Sequence, residues 1–169
     1  MRRFYFLIFL SFLFFSCQES KKVDFKKDGL RFTCPDGWKI ESEDEADNHF
    51  SLTMQKDGLT SSGMIRINCI NDSIDDVKLI NHLRNSFKDN SMYKKLTIDF
   101  DTITTGSYNG IDCIESSFAF DWWGEVDQGR YRVLHGRNKT ISILVQEAAK
   151  HAELNRADFE LFERSFFVD

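Results

Sequence analysis

The second half of the chain alternates apolar and polar residues with the period of a β-strand. Ile141, Ile143 and Val145, for example, share one side of the segment 140–146. Short connections join antiparallel strands, because a parallel pair needs a long crossover. The pattern therefore predicts an antiparallel meander over residues 96–146. Its turns are predicted at Gly106–Gly110, Asp121–Gly129 and Arg137–Lys139.

The first half of the chain contains three further segments with strand-like alternation. They cover residues 30–34, 50–54 and 63–70. The acidic stretch 43–48 has no apolar period, so we expect a solvated loop there. A calcium site at this stretch is the alternative, but the ordered ligand spacing and turn glycine of an EF-hand loop are missing.

Two segments have the period of a helix instead. Asp72 or Ser73 is expected to cap the first helix, which should end near Asn90, and Asn155 is expected to cap the second. The residues predicted to face the core are Val77, Ile80, Leu83 and Phe87 in the first helix and Phe159, Phe162 and Phe166 in the second. The order strands, helix, meander, helix predicts an α+β fold in which helices cover an antiparallel sheet.

The N-terminal residues 1–16 are predicted to be a targeting signal. Two arginines precede Phe4–Phe15, which is apolar except for Ser11. This order is typical of a secretory signal, and the run is too short to cross a hydrocarbon core about 30 Å thick. The run ends at a serine followed by Cys17, which resembles the bacterial lipobox, where the thiol is lipidated and the chain is cut before it. An ordinary signal peptide with an incidental cysteine is the alternative.

Lipidation at Cys17 would make the membrane a partner of the chain. Residues 17–28 are polar and lysine-rich, which indicates a tether to a domain at 29–169. Gln18 lacks the charge of an inner-membrane retention signal, so we expect the outer membrane of a Gram-negative bacterium. Cleavage removes both N-terminal arginines and changes the formal charge from −5 to −7. This acidity argues against nucleic-acid binding, which needs a basic surface.

Three cysteines remain after the anchor is assigned. Cys34, Cys69 and Cys113 each lie in a strand-like segment. An oxidising envelope permits one disulfide among them, but free cysteine often behaves as a small buried apolar residue, so we expect three core thiols. No Cys or His spacing in the sequence indicates zinc, and no phosphate-binding loop is present, so no metal or cofactor is predicted.

One segment of the mature chain resembles a family motif. Residues 32–38 have the sequence FTCPDGW, which resembles the F-x-x-P-x-G-W opening of the PsbP-like family. Residues 140–146 and 159–166 are similar to that family's closing strand and helix. The resemblance covers about residues 29–168 and implies an α/β/α sandwich. It also implies a largely non-enzymatic, partner-binding domain, with no catalytic residues to carry over.

The most unusual stretch of the domain contains two adjacent tryptophans. Neighbouring side chains of a strand point to opposite faces, so at least one of the two rings is expected to be exposed. Exposed aromatics beside arginine are typical of binding surfaces. The candidate binding residues are Trp122, Trp123, Arg130, Tyr131, Arg132 and His135. In the alternative, one ring fills the core and the other covers a sheet end.

These observations predict an envelope lipoprotein whose domain is a non-enzymatic binding or assembly module. We expect its partner to be another envelope protein. Two functions of other classes stay open. One is a small hydrolase with a dispersed site around His135, although no nucleophile elbow is present. The other is a carrier of a small apolar or glycan ligand in a pocket near Trp122 and Trp123.

Overall fold

The computed structural model describes residues 23–56 and 62–169. Within these ranges the chain forms eleven strands and two α-helices. The strands are β1 Val23–Lys27, β2 Leu30–Cys34, β3 Trp38–Ala46, β4 His49–Lys56, β5 Gly63–Ile70, β6 Ile98–Phe100, β7 Thr104–Tyr108, β8 Ile111–Trp122, β9 Glu125–Gly136, β10 Lys139–Ala148 and β11 Phe167–Val168. The helices are α1 Asp76–Asp89 and α2 Ala152–Ser165, and a 3-10 turn at Ala149–His151 precedes α2. The predicted signal (1–16) and the lipid site Cys17 lie outside the described residues.

The strands form two sheets, and neighbouring strands within each sheet pair antiparallel. The large sheet has the order β3-β4-β5-β10-β9-β8-β6, with β7 also paired to β8, and the small sheet has the order β1-β2-β11. The predicted meander is confirmed in its centre, where β8, β9 and β10 pair in sequence order. Among the described residues no helix is long and apolar enough to cross a bilayer.

The large sheet packs a core cluster on each face. Ile141 and Ile143 of β10 belong to one cluster, while Leu144 belongs to the other. This division follows from the alternation of side chains along a strand. Helix α2 contributes Phe162 to the first cluster, and α1 contributes Ile80 to the second. The antiparallel sheet with helical packing is therefore as predicted in outline.

The motif at residues 32–38 ties the early strands to the last helix. Gly37 has a φ of 75°, which suits glycine at the turn before β3. Trp38 is buried, and its indole N–H donates to the Asp158 carboxylate over 3.1 Å. Its ring also packs edge-to-face on Phe159 of α2 at 5.4 Å between centroids. Through these contacts the short motif fixes the start of β3 against α2.

Two predicted irregular segments are strands in the structure. Val23–Lys27, assigned to the tether, pairs with β2. The acidic stretch 43–48 is also not a loop, because residues 43–46 continue β3 and pair with β4, and only residues 47–48 form the turn. Lys27 donates to the carboxylates of Glu43 and Glu45 at 2.7 and 2.8 Å. These two ion pairs offset the repulsion between the acidic neighbours of β3. The local sequence pattern does not reveal them, because Lys27 belongs to another strand.

The predicted helix caps are wrong in position. Asp75 caps α1 by accepting from the backbone N–H of Lys78, so neither Asp72 nor Ser73 is the cap. Helix α2 begins at Ala152, and Asn155 is buried inside it. The Asn155 amide donates to the carbonyl of Ser62 and to the Glu147 carboxylate, and these contacts come from other elements.

The predicted apolar stripes are mostly correct. In α1, Ile80 and Phe87 are buried, but Val77 is exposed and Leu79 takes its place. In α2, Phe162 is buried, as is Phe166 directly after the helix. The start of the predicted meander is divided into β6 and β7, and both pair with β8. Strand β7 continues to Tyr108, so the turn predicted at Gly106–Gly110 is confined to Asn109 and Gly110.

The three cysteines of the domain are free and buried, as predicted. Cys34, Cys69 and Cys113 all belong to the cluster beneath α2. Burial raises the pKa of each thiol, since the thiolate would lose its hydration there. They pack as small apolar residues.

Gly129 of β9 is required by close packing. A Cβ at this position would lie 2.4 Å from Cζ of Phe118 and 2.6 Å from the carbonyl oxygen of Val145. We expect Gly129→Ala to lower the free energy of unfolding by about 1–3 kcal/mol through overpacking. Urea denaturation would measure the change.

Gly106 of β7 provides the matched control for Gly129. A Cβ added at Gly106 would lie 3.8 Å from its nearest neighbour, the sulfur of Cys113, which is an ordinary van der Waals contact. Gly106→Ala should therefore leave stability unchanged or slightly raised. Equal effects of the two alanines would contradict the packing argument.

Candidate functional site

The β8–β9 hairpin ends in an aromatic tip, which we define as Trp122 and Trp123. Trp123 and Gly124 form the two-residue turn with φ of 52° and 87°, the positive values that a type I′ hairpin requires. Asp121 stabilises the turn by accepting from the N–H of Gly124 at 2.8 Å. Trp123 is 88% exposed, so the expected exposed ring is present.

Trp122 supports this tip from the core side. Its ring lies 5.3 Å from that of Trp123 and 5.5 Å from that of Tyr93, edge-to-face in both cases. Tyr93 in turn stacks on Phe87 of α1 at 4.3 Å. The chain of rings connects the exposed tip to the buried cluster beneath α1. The tip is thus held in one place.

A cavity of about 340 Å³ opens beside Trp122. We call it the tip pocket. Its lining residues are Ser62, Met92, Tyr93, Trp122, Glu125, Asp127, Ala148, Lys150 and His151. One wall is aromatic and the other is polar. The residues come from β8, β9, β10 and three connections, so their proximity is a product of the tertiary fold.

The polar wall contains two paired sets of groups. The ammonium of Lys150 forms an ion pair with the carboxylate of Glu125. Nδ1 of His151 accepts from the backbone N–H of Ser62 at 3.1 Å and lies 3.2 Å from its hydroxyl oxygen. Because a backbone N–H only donates, Nδ1 carries no proton and the ring is neutral in this arrangement.

Asp127 is the half-buried carboxylate of this wall. Burial raises its pKa above the ordinary aspartate value, although a hydrogen bond from the Gln146 amide opposes the shift. That bond is long, at 3.4 Å. Among the described residues, no cation lies within ion-pair distance of Asp127.

The raised pKa makes Asp127 a cost to stability at neutral pH. The folded state binds a proton more readily than the unfolded chain, so this group's contribution falls as pH rises above the ordinary aspartate value. Asp127→Asn should therefore raise the melting temperature at pH 7, with the gain vanishing at pH 3. Thermal unfolding of both proteins across this range tests the sign. A gain that grew toward acid would contradict it.

The other predicted binding residues do not join the aromatic tip. Along β9, Arg130 and Arg132 face α2, while Tyr131 is buried on the opposite face against Phe87 and Phe118. Arg132 is also buried and is bound by carboxylates. The structure does not bring these residues together on a single surface, because alternation along the strand divides their side chains between two faces.

His135 lies at the other end of β9. Ten residues of strand separate it from Glu125, the register partner of Trp122, which is about 33 Å at 3.3 Å per residue. It contacts the Asp76 carboxylate and lies 3.3 Å from the hydroxyl of Thr140. That hydroxyl already donates to the carbonyl of Asp72, so His135 does not activate it as a nucleophile. The geometry gives His135 a role in fixing the start of α1.

A second, wider groove of about 570 Å³ runs between α2 and the large sheet. Its aromatic rings among the described residues are Phe118 and Phe159. Its charged lining residues are Asp99, Asp101, Glu147, Glu160 and Glu163 with Arg130 and Arg156.

Sequence reasoning found the aromatic tip and left a pocket near it open as an alternative, but it missed the other residues that line that pocket. Tyr93, Asp127 and His151 lie in separate segments with no shared motif. The only local signal was Trp122 itself, near which a pocket was one of the open alternatives.

Comparison by sequence finds no matching family model and no similar curated protein. Comparison by structure does find solved proteins with this architecture. The solution structure of cyanobacterial PsbP (CyanoP) from Synechocystis sp. PCC 6803 superposes with a TM-score of 0.64 at 13% identity. It covers 93% of this chain and 99% of that one. This chain has a PsbP-like fold.

A second solved structure with the same architecture comes from Mycobacterium tuberculosis. LpqN, described as involved in cell envelope biogenesis, superposes with a TM-score of 0.54 at 8% identity. The match covers 88% of this chain and 90% of LpqN. The fold resemblance that residues 32–38 suggested is thus confirmed for the PsbP-like domain.

Proposed function

We propose that this chain is a lipid-anchored cell-envelope protein whose PsbP-like domain acts as a non-enzymatic binding or assembly module. The aromatic tip carries the proposal, because its two-residue hairpin turn presents the exposed side chain of Trp123 to solvent. The signal and Cys17 would supply the anchor, and the outer membrane of a Gram-negative bacterium is the proposed location. The envelope role of LpqN supports the setting.

The exposure of Trp123 favours binding over a structural role. Trp123 has a positive φ, and a backbone in this conformation costs a bulky residue roughly 1–3 kcal/mol of strain. Burial of the Trp123 ring offsets little of this strain energy, since the residue is 88% exposed. Contact with a partner would remove it from water, and tryptophan is among the residues that dominate interface energies. The proposed partner is another envelope protein.

Replacing Trp123 tests the proposed binding surface. Trp123→Ala should weaken binding of the envelope partner at least about tenfold, as expected for a hot-spot residue, with no loss of thermal stability. Quantitative mass spectrometry of cross-linked cell envelopes would identify the partner and measure its recovery. Leu154→Ala on the exposed face of α2 is the control and should have no effect. Capture of the same partners at wild-type strength by Trp123→Ala would refute the surface.

Replacing Cys17 tests the proposed anchor. Cys17→Ser should abolish incorporation of a fatty-acid label, and globomycin should cause the uncleaved wild-type precursor to accumulate. Cys34→Ser is the control and should still take up the label, because Cys34 is a buried thiol of the domain. A Cys17→Ser protein that keeps its label, or wild type that is processed without any label, would exclude the lipid anchor.

A further inference from the structure

The aromatic wall of the tip pocket is fixed before any ligand arrives. Tyr93 and Trp122 meet edge-to-face, and Phe120 supports Trp122 from behind at 6.3 Å between centroids. Both lining rings are partly exposed. Rigid aromatic faces provide large contact area at low entropic cost. They suit a ligand that has an apolar ring face.

The opposite wall offers donors and acceptors at short range. The Asp127 carboxylate accepts, the Lys150 ammonium donates, and the Ser62 hydroxyl does both. Since Nδ1 of His151 is an acceptor, its Nε2–H is the remaining donor of that ring. A ligand with several hydroxyl groups would satisfy such a mixed set.

The charges of the wall argue against anionic and purely apolar ligands. Glu125 and Lys150 neutralise each other, and His151 is neutral, so the Asp127 carboxylate is the unbalanced charge among the described lining residues. A phosphate or carboxylate ligand would be repelled by it. An acyl chain would cover it without supplying a hydrogen bond, which is costly for a half-buried charge.

We propose that the tip pocket binds a neutral saccharide, with a ring face on Trp122 and hydroxyls donating to Asp127. Its volume of about 340 Å³ is at the small end of ligand sites, which limits the ligand to a mono- or disaccharide unit. The pocket shares Trp122 with the aromatic tip, but Trp123, the residue on which the protein-binding test depends, does not line it.

Titration of the full chain tests this site. The protein is kept in a zwitterionic detergent, since alkyl glycoside detergents carry sugar head groups. The probes are maltose and N,N′-diacetylchitobiose as neutral disaccharides, glucosamine as a cation and inorganic phosphate as an anion. Calorimetry and tryptophan fluorescence should give saturable binding of at least one disaccharide, with a dissociation constant of about 1 mM or lower.

Two conservative variants test the contributions of the polar wall and the aromatic wall separately. Asp127→Asn removes the charge and one hydroxyl acceptor, and Trp122→Phe reduces the stacking face while it retains an aromatic ring. Each should weaken disaccharide binding about tenfold or more, with circular dichroism unchanged. Leu154→Ala, on the exposed face of α2 and outside the pocket lining, is the control and should change the affinity by less than about twofold.

Three results would overturn the saccharide site. They are no saturable binding of either disaccharide, equal affinity in Asp127→Asn and wild type, and glucosamine or phosphate binding at least about tenfold more tightly than both disaccharides. None of these bears on the partner-binding test, which depends on Trp123. Conversely, loss of the protein partner in Trp123→Ala with intact sugar binding would support both proposals.

Discussion

Replacing Arg132 by alanine is expected to destabilise the domain strongly and to leave the tip pocket intact. The guanidinium is buried between Glu115 and Glu163, with its Nε donating to Glu115 at 3.1 Å, and it stacks on the Tyr108 ring at 4.7 Å. Burial alone lowers the Arg132 pKa, and the two glutamates more than offset this, so the net shift is upward. The charge is therefore firmly held.

Arg132→Ala leaves both glutamates without their main partner. We expect the free energy of unfolding to fall by about 3 kcal/mol, the lower end of the range for breaking a buried ion pair, because both carboxylates keep some solvent contact. Urea denaturation measures the loss. Affinity for the envelope partner should stay unchanged below the unfolding transition, since Arg132 is buried and lies seven residues along β9 from Glu125, the register partner of Trp122.

Arg130 provides a matched control on the same strand. It also faces Glu115, but at 3.6 Å and with a side chain 42% exposed. Arg130→Ala should cost less than about 1 kcal/mol, as for surface ion pairs. If both alanines cost the same, burial would not be the reason for the Arg132 effect.

Replacing Phe162 by alanine is expected to be still more damaging. This side chain of α2 is fully buried and contacts Phe32 edge-to-face at 5.3 Å and Phe166 at 5.7 Å. The variant should lose about 3–5 kcal/mol, through lost transfer free energy and the cavity left between α2 and β2. Chemical denaturation measured by circular dichroism would give the value.

Leu154 on the same helix is the control for Phe162. It is 59% exposed, and alanine is a good helix former, so Leu154→Ala should change stability by no more than about 0.5 kcal/mol. A Phe162→Ala protein of near wild-type stability would show that α2 contributes little to the core beneath it.

Local pattern was sufficient where side chains repeat the period of a single element. The alternation in β10 correctly placed Ile141 and Ile143 together on one face, although its other face is buried as well, and the Phe stripe of α2 correctly predicted that Phe162 and Phe166 are buried. Residue chemistry also predicted three buried thiols. The acidic half of β3 was mistaken for a loop, because its pairing with β4 and its bonds to Lys27 come from other parts of the chain.

The candidate site divides in the same way. Adjacent tryptophans at a predicted turn indicated an exposed ring, and the turn geometry places Trp123 in solvent. The residues after them on β9 were grouped with the tip by sequence proximity. Strand geometry separates them by face and by distance, so Arg132 and His135 have structural contacts instead.

The antiparallel meander, the two helices and the likeness to the PsbP-like fold follow from periodicity and a short turn motif, and both can be read in the amino-acid sequence. The burial of each β9 side chain and the distant residues that surround Trp122 follow from the packing of the elements against each other. Asp127 and His151 become neighbours of that ring through strand register and the 3-10 turn before α2. Such contacts depend on the position of whole elements, and no local pattern encodes that position.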